Sequence, residues 1–250
     1  MSVGDPRRPP AIPLHVIVVA GGEGHRARTG AAEAPKQFQV VGGRLLLLQG
    51  LETFLALPGT VSVTVAAPPA WQAVARTALA AATALPTTVC DGGATRTAST
   101  CNAAEALQHA CPPRDDDLVA VHDAARPWVT AELVARLAAA AAAHGGAVPG
   151  VEVTDTIVVL EEAGDDSARG LRYLPRAGLR ALQTPQVFRW RPFLEAHRWA
   201  RATGAAFTDD GGLLAARGLP PVLVPGEPGN LKITTAEDLA AARARAEGRP

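Results

Sequence analysis

The residues of this chain that are best suited to chemistry follow a short apolar run near its start. The run Val16–Ala20 breaks into a glycine-rich loop, passes Arg26 and reaches Lys36 in the stretch VIVVAGGEGHRARTGAAEAPKQF. Backbone N–H groups of such a loop can surround a phosphate group, and nearby fixed cations add charge. An arginine forks across two phosphate oxygens, whereas a lysine offers a compact point charge. The stretch therefore predicts a phosphate-binding loop.

Two lysines stand out among the basic side chains. Lys36 and Lys232 are the only lysines among 24 lysine and arginine residues in the sequence. A site for an ammonium group that a planar guanidinium cannot fill would explain a lysine at these two positions. Two surface lysines without a function would give the same count. The other motifs therefore have to show whether Lys36 and Lys232 belong to a binding site.

The glycine loop also satisfies the dinucleotide-binding fingerprint G-x-G-x-x-G/A, through Gly22, Gly24 and Ala27. That fingerprint needs a helix directly after the loop and an acidic residue at the end of the next strand. Pro35 interrupts the segment before a full helix can form, and the following VVGGRLLLL supplies no acid. A nicotinamide-dependent oxidoreductase is therefore disfavoured. A Walker-type loop is disfavoured as well, because no Gly-Lys-Ser/Thr follows.

A carboxylate follows another apolar run, in VAVHDAARPWV, which contains Asp123 and Arg126. Mg²⁺ is usually held by one or two carboxylates together with substrate phosphates, so Asp123 is a candidate metal ligand. A helix or turn cap is the alternative role for Asp123. His122 is predicted to pack or to form a hydrogen bond rather than to bind a ligand.

Three further segments place polar groups near predicted strand ends. DGGATRTAS is a second glycine turn that leads into a helix, and it contains Gly93, Arg96 and Ser99. TDD and GNLKITTAEDL add Thr208 and Lys232.

The elements that must position these residues alternate along the chain. Buried strands are predicted for HVIVVA, TVSVTVAA, TTVC, LVAVH and PVLVP, and helices for LLLLQGLETFLAL, AWQAVARTALAAA, TASTCNAAEALQHA, TAELVARLAAAAAAH and TAEDLAAARARAE. Thr130 and Thr235 are predicted N-caps. This alternation predicts an α/β fold, with a mostly parallel sheet and helices on both faces. Ligands of such sheets bind beyond the carboxyl ends of the strands, where the loops described above begin.

Residues 148–180 interrupt the alternation with two strand-like runs around a polar glycine turn, which predicts a β-hairpin. A lone two-stranded hairpin is marginally stable in water, so we expect this one to form an arm that packs on a second subunit. The remaining pattern predicts one domain over residues 14–246, preceded by a disordered tail over residues 1–13.

Composition restricts the partners of the chain. Its 250 residues carry 24 basic and 24 acidic side chains, so a protein that coats nucleic acid or an anionic membrane is not expected. No apolar run approaches the roughly 18 residues that a membrane span needs. Cys90, Cys101 and Cys111 are odd in number and form no CxxC pair, which is typical of a reducing compartment. We therefore expect a cytoplasmic protein without disulfide bonds.

Taken in order, the motifs AGGEGHRA, APKQF, DGGATRTAS, VHDAARP, VTDTI, QTPQVF, TDD and GNLKITTAEDL resemble those of the 2-C-methyl-D-erythritol 4-phosphate cytidylyltransferase family. The resemblance runs from about residue 14 to residue 242. It implies a Rossmann-like nucleotidyltransferase fold and a homodimer with interlocking arms. It also implies a reaction of CTP with 2-C-methyl-D-erythritol 4-phosphate that depends on Mg²⁺ or another divalent cation and gives 4-diphosphocytidyl-2-C-methyl-D-erythritol and pyrophosphate.

The matching motifs also imply a role for individual residues. Arg26 and Lys36 fall at catalytic positions; Gly21, Gly22, Gly24, Gly93, Arg96, Ser99 and Asp123 at nucleotide-binding positions; and Asp123 at the metal position. Arg126, Thr156, Arg176, Thr208 and Lys232 fall where the family binds the sugar phosphate, with Thr156 and Arg176 reaching in from the neighbouring subunit. Gly211-Gly212 replaces the family's usual Ala-Ser and is expected to loosen a helix start.

The chemistry that the resemblance implies needs no general base. A phosphate monoester has a second pKa of ~6, so its attacking oxygen is largely deprotonated at neutral pH. The site must instead position two anions and neutralise the charge that develops between them. Two other functions remain open, namely a cytidylyltransferase for another polyol phosphate such as ribitol 5-phosphate and a non-catalytic dimeric scaffold. A panel of polyol phosphates would distinguish the other cytidylyltransferase from the one that the resemblance implies. The presence of Arg26 and Lys36 disfavours a non-catalytic scaffold.

Overall fold

A computed structural model of the chain describes residues 12–21, 34–161 and 170–246. Its strands are β1 (Leu14–Val19), β2 (Val40–Val41), β3 (Arg44–Leu45), β4 (Thr60–Ala67), β5 (Thr87–Asp91), β6 (Leu118–Asp123), β7 (Gly146–Glu152), β8 (Val158–Leu160), β9 (Leu171–Tyr173), β10 (Arg180–Leu182), β11 (Gln186–Arg189) and β12 (Val222–Pro225). Its α-helices are α1 (Leu46–Leu55), α2 (Gln72–Ala82), α3 (Arg96–Ala110), α4 (Ala131–His144), α5 (Trp190–Thr203), α6 (Asp210–Ala216) and α7 (Ala236–Ala246). Residues 1–11 of the predicted tail lie outside the described residues.

Eight of the described strands form one central sheet, in the order β10-β7-β11-β6-β1-β4-β5, with β12 also paired to β7. β1 runs parallel to both of its neighbours, and Val19 at its end lies level with Ala66 of β4 and Asp123 of β6. β11 is antiparallel to β6 and β7, so the sheet is mixed but mostly parallel. The carboxyl ends of β1, β4 and β6 therefore meet at one edge, as the sequence predicted.

Helices cover both faces of this sheet, which confirms the predicted architecture. Val16 and Val18 of β1 pack into one buried cluster and Ile17 into the other, because successive side chains of a strand point to opposite faces. The first cluster is closed by Leu47, Leu51, Phe54, Leu79 and Leu133 from α1, α2 and α4, and the second by Leu107, Phe193 and Leu213 from α3, α5 and α6. Full burial of each such side chain contributes roughly 1.5–3 kcal/mol, so the strand ends are held rigidly.

Both predicted N-caps are confirmed. The hydroxyl of Thr130 accepts a hydrogen bond from the backbone N–H of Leu133 at 3.1 Å, and α4 begins directly after it. The hydroxyl of Thr235 accepts from the backbone N–H of Asp238 at 3.1 Å, at the start of α7. α7 packs through Leu239 on a small cluster of its own, which fixes the segment that carries the second lysine.

The sequence did not predict the short strands β2, β3, β10 and β11 or the helix α5. β11 is only four residues long, and α5 carries arginines and tryptophans instead of the alanine-rich pattern of the other helices. The predicted hairpin is only partly separate from the sheet, since β7 contributes its residues 148–152 to the sheet itself. β8 and β9 do pair antiparallel, with Val158 opposite Tyr173. Their role in a dimer remains a prediction.

None of the helices in the described part of the chain is long and apolar enough to cross a membrane.

Candidate functional site

A cavity of about 760 Å³ opens beyond the carboxyl ends of β1, β4, β5 and β6. Pro68 and Pro69, which follow β4, form part of its wall. Seven of the residues singled out in the sequence line it within the described chain, namely Gly21, Lys36, Gly93, Arg96, Ser99, Asp123 and Lys232. The structure thus brings together groups from four separate loops, as expected for this edge of a parallel sheet.

Asp123, the last residue of β6, lies between two cations at the edge of this cavity. Its Oδ1 accepts a hydrogen bond from Arg96 Nε at 3.2 Å, and its Oδ2 accepts one from Lys232 Nζ at 2.6 Å. Burial by itself would raise the pKa of the Asp123 carboxyl, but Arg96 and then Lys232 attract its charged form and hold the pKa well below its usual range. Asp123 is therefore ionised throughout the physiological range.

Arg96, the first residue of α3, has a second carboxylate partner. Its Nη1 donates to Asp210 Oδ2 at 2.8 Å, while its Nε donates to Asp123. Burial alone would lower the pKa of the guanidinium, but Asp210 and Asp123 outweigh this effect and raise it. A permanent positive charge thus lies in the cavity wall in a fixed orientation.

Lys36 also lines the cavity, in a 3₁₀ turn Lys36–Phe38. Gln37 Nε2 donates to the backbone oxygen of Ala20 at 2.7 Å, which ties this turn to the end of β1. The ring of Phe38 stacks on that of Trp71, with centroids 5.0 Å apart. The turn that carries Lys36 is therefore held by both contacts, and Lys36 lines the same cavity as Asp123 and Lys232.

Two loops cross beneath the cavity so closely that only glycine fits. A Cβ on Gly92 would lie 2.9 Å from the Cα of Gly21, and a Cβ on Gly21 would lie 2.7 Å from Ser99 Oγ. Ser99 Oγ donates to the backbone oxygen of Thr95 at 2.9 Å and accepts from the N–H of Gly93, also at 2.9 Å. Ser99 therefore shapes the glycine turn as well as lining the cavity.

The QTPQ segment before β11 holds several site loops in place, a role that the sequence did not reveal. Gln183 Nε2 donates to the backbone oxygen of Glu227 at 2.9 Å, in the loop that leads to the second lysine. The hydroxyl of Thr184 accepts from the N–H of Asp123 at 3.0 Å, and Gln186 Oε1 accepts from the first N–H of α6 at 3.1 Å. The only indication of this role in the sequence is that polar residues flank a proline at the start of a strand.

Arg126 and His122 lie behind the cavity. Arg126 Nη1 donates to the backbone oxygen of Asn230 at 2.7 Å, and Arg126 is 9 % exposed. The Nε2 atom of His122 lies 2.9 Å from the backbone oxygen of Arg126, which confirms the prediction that His122 packs and forms a hydrogen bond. Burial lowers the pKa of His122 to about 4, so the ring is neutral at physiological pH.

The remaining predicted substrate residues do not line the cavity that the described residues form. Thr156, Arg176 and Thr208 are exposed. Arg176 donates to the backbone oxygen of Thr154, which orders the segment between β7 and β8. Gly22, Gly24 and Arg26 lie outside the described residues.

The start of α6, next to Thr208, is not loosened by its two glycines, contrary to the expectation from the sequence. The N–H of Gly211 donates to Gln186 Oε1 at 2.9 Å, and the N–H of Gly212 donates to Asp209 Oδ1 at 2.9 Å. A Cβ on Gly211 would lie 2.9 Å from Val148 Cγ1, so the small residue allows the helix to pack on β7. Side-chain caps replace the rigidity that a larger residue would give.

The described residues could hold a metal ion only through Asp123 and the phosphates of a substrate. No group of three or more His, Cys, Asp or Glu side chains among them could hold a metal ion. Both oxygens of Asp123 already face cations, yet each has a further lone pair that can face the cavity. This donor set fits Mg²⁺ bound by one carboxylate together with substrate phosphates, and it does not fit an ion held by protein groups alone.

Comparison with known proteins identifies the fold and the family. Residues 14–247 match the family model of IspD, 2-C-methyl-D-erythritol 4-phosphate cytidylyltransferase. A solved structure of 2-C-methyl-D-erythritol 4-phosphate cytidylyltransferase from Thermus thermophilus is 37 % identical, covers 94 % of this chain and 98 % of its own, and superimposes with a TM-score of 0.67. The corresponding structure from Francisella tularensis is 27 % identical, with a TM-score of 0.74 over 92 % of this chain and 98 % of its own.

A curated relative, the bifunctional enzyme IspD/IspF of Rhodopseudomonas palustris (strain TIE-1), is 39 % identical over 230 residues, which are 92 % of this chain and 54 % of the relative. The chain thus spans about half the length of the curated relatives that it matches. The predicted nucleotidyltransferase fold is confirmed by the solved structures, and the family model covers nearly the whole chain. The chain belongs to the IspD family, whose model is that of 2-C-methyl-D-erythritol 4-phosphate cytidylyltransferase.

Proposed function

We propose that this chain transfers the cytidylyl group of CTP to 2-C-methyl-D-erythritol 4-phosphate and releases pyrophosphate. The observation that carries the proposal is the cavity that Lys36, Arg96 and Lys232 line together with Asp123. These three cations face two carboxylates, Asp123 in the cavity wall and Asp210 behind Arg96, so positive charge exceeds negative charge by one among these described groups, which suits phosphorylated substrates. The family to which the chain belongs supports the choice of these two substrates.

The chemical step follows from these charges. A phosphate oxygen of the alcohol phosphate attacks the α-phosphorus of CTP, a new O–P bond forms, and the bond to the β-phosphate oxygen breaks with release of pyrophosphate. Lys36 and Lys232 offset the repulsion between the two anions, and Arg96 fixes the nucleotide through its oriented N–H groups. Neither substrate needs to lose a proton to the protein, because the attacking oxygen is already ionised.

Mg²⁺ is the cofactor that we propose, bound by Asp123 together with substrate phosphates. When bound, it would neutralise charge on the triphosphate and on the leaving pyrophosphate. The ion pairs of Asp123 with Arg96 and Lys232 keep this carboxylate ionised and correctly placed before any metal arrives.

A panel of alcohol phosphates tests the substrate. Pyrophosphate release is measured with CTP and 2-C-methyl-D-erythritol 4-phosphate, ribitol 5-phosphate or glycerol 3-phosphate as the acceptor. The proposal predicts the highest kcat/KM for the methylerythritol phosphate. A higher value for ribitol 5-phosphate would move the assignment to another polyol, and no release with any acceptor would favour a scaffold.

We further propose that the chain forms a homodimer through β8 and β9. Val159, Leu160, Leu171 and Tyr173 are exposed large apolar side chains on this two-stranded sheet. A two-stranded sheet alone is marginal in water, and a second copy that covers these side chains would stabilise it. Such a dimer would carry the neighbouring Arg176 towards the cavity of the other subunit.

Mixed dimers test this arrangement. Lys36→Ala and Arg176→Ala should each be nearly inactive alone, because each removes a phosphate-binding cation that no neighbour replaces. Refolded together, they should form dimers with one doubly altered site and one intact site, so activity should return. No recovery in dimers whose mixed composition is shown by mass would reject the shared site and leave the cytidylyl transfer itself untouched.

The location that we propose is the cytoplasm. Cys90, Cys101 and Cys111 are all free thiols in the structure, and thiols stay reduced in that compartment. Burial raises the pKa of Cys90 to about 11 and also raises that of Cys101, so neither is a reactive thiolate.

A further inference from the structure

A row of four alternating charges, which ends next to a histidine, runs from the cavity into the core behind it. Lys232 Nζ lies 2.6 Å from Asp123 Oδ2, and Asp123 Oδ1 lies 3.2 Å from Arg96 Nε. Arg96 Nη1 lies 2.8 Å from Asp210 Oδ2, and Asp210 Oδ1 lies 3.2 Å from His197 Nε2. The first three groups line the cavity, whereas Asp210 and His197 are buried behind it and belong to neither of the predicted binding sets.

Asp210 is held firmly in this row. Asp210 is 1 % exposed, and its backbone N–H donates to Gln186 Oε1 at 3.1 Å. His197, on α5, is fully buried and packs its ring 4.4 Å from that of Phe193. Burial would raise the pKa of the Asp210 carboxyl, but Arg96 and His197 reverse this effect and lower it, so a fixed negative charge lies behind the guanidinium.

We propose that Asp210 is a positioning residue that orients Arg96 for the nucleoside triphosphate. This inference rests on the proposed function, because it takes Arg96 as a nucleotide-binding group. Two of the guanidinium nitrogens are engaged by carboxylates, while Arg96 Nη2 is buried without a hydrogen-bond partner among the described residues. Asp210 thus fixes the direction in which the remaining donor of the guanidinium points.

The variant Asp210→Asn separates charge from shape. Asparagine keeps an oxygen that can accept from Arg96, but it removes the ionised partner behind the guanidinium. Among the described residues, Asp123 is then the only carboxylate left to Arg96, so the guanidinium is drawn towards Asp123 and away from its original orientation. We expect the affinity for CTP to fall about tenfold, the usual consequence of losing one charge-assisted hydrogen bond.

Isothermal titration with CTP in a double-mutant cycle tests this coupling. Asp210→Asn and Arg96→Gln should each weaken binding, and Asp210→Asn should add no further loss in the Arg96→Gln background. The matched control is Asp117→Asn, the same change at a buried aspartate that also faces a histidine, His15, but at the opposite end of β6. Additive losses, or an equal loss in the control, would overturn the proposal, because Asp210 would then act on the fold and not through Arg96.

A second measurement works without any nucleotide. The Nη1–H resonances of Arg96, which report the hydrogen bond to Asp210 and are assigned by their absence in Arg96→Gln, should exchange with solvent about tenfold faster in Asp210→Asn. Asp117→Asn should leave this rate unchanged, and an unchanged rate in Asp210→Asn would overturn the proposal. His197→Gln changes the side chain next to Asp210 Oδ1 but keeps the charge of Asp210. It should show a smaller acceleration, and no acceleration would overturn the proposal if Asp210→Asn does not fold. Faster exchange in a protein that binds no CTP would instead count against the proposed function alone.

Discussion

Lys232 and Asp123 lie 109 positions apart in the chain and are joined by an ion pair of 2.6 Å at the edge of the cavity. The pair links the segment before α7 to the end of β6. It also places one of the two lysines of the chain against the carboxylate that is the proposed metal ligand. An incoming phosphate therefore meets a lysine that is already in position and a carboxylate that is already ionised.

Lys36→Arg is expected to lower kcat by about a hundredfold although it keeps the charge. The 3₁₀ turn under Lys36 is fixed by Gln37 and Phe38, so the longer planar guanidinium cannot be accommodated by a shift of the backbone. The measurement is the steady-state rate of pyrophosphate release at saturating CTP.

Arg44→Lys is the matched control for this change, since the side chain of Arg44 is 65 % exposed and pairs with Glu52 on the surface. It should leave the rate as in the wild type. Near-normal turnover of Lys36→Arg would show that any cation serves at this position.

Asp123→Asn is expected to reduce activity about a hundredfold or more and to raise the Mg²⁺ concentration needed for half-maximal rate. The change removes the only carboxylate among the described residues that line the cavity. A Mg²⁺ titration of the initial rate measures the effect, with Asp117→Asn as the control. If the titration midpoint stays where it is in the wild type, Asp123 does not bind the metal.

Gly93→Ala is expected to destabilise the protein by roughly 1–3 kcal/mol and to weaken CTP binding. A Cβ at this position would lie 2.5 Å from that of Ala98 and 2.9 Å from the backbone nitrogen of Ser99, so the first turn of α3, which carries Arg96, has to move. Urea unfolding and CTP titration measure the two effects. Gly229→Ala, where a Cβ would meet nothing within 4 Å, is the control, and equal results for both variants would contradict the packing argument.

Stability is expected to fall as the pH drops below about 6.5, in part because of His15. Burial lowers the pKa of His15 in the folded state, and Asp117 offsets this only in part, so the unfolded chain binds a proton more readily. The contribution is fully present above the unfolded pKa and is lost as the pH falls through the folded one. Urea midpoints measured across this window should depend less steeply on pH in His15→Gln than in the wild type. A slope in His15→Gln equal to that of the wild type would contradict the assignment.

The parallel part of the sheet was predictable because its strands are continuous apolar runs. The same runs predicted that Asp123, Arg96 and Lys36 would meet, because each follows a strand or a glycine turn at one edge of the sheet. β11 and α5 escaped prediction, since one is short and the other carries its apolar residues between arginines.

The supporting contacts could not be predicted, because they join residues that are distant in sequence. Arg96 and Asp210 are 114 positions apart, and no local pattern distinguishes Asp210 from Asp209 beside it. Gln183 and Gln186 likewise look like ordinary polar residues until the fold brings their partners into reach.

Position-specific labelling of CTP tests the central claim most directly. The protein is incubated with Mg²⁺, 2-C-methyl-D-erythritol 4-phosphate and CTP that carries ³²P at either the α- or the γ-phosphate. Attack at the α-phosphorus predicts that the α-label appears in 4-diphosphocytidyl-2-C-methyl-D-erythritol and the γ-label in pyrophosphate. Transfer of the γ-label to the alcohol phosphate, or CTP left intact in the presence of both substrates and metal, would contradict the account.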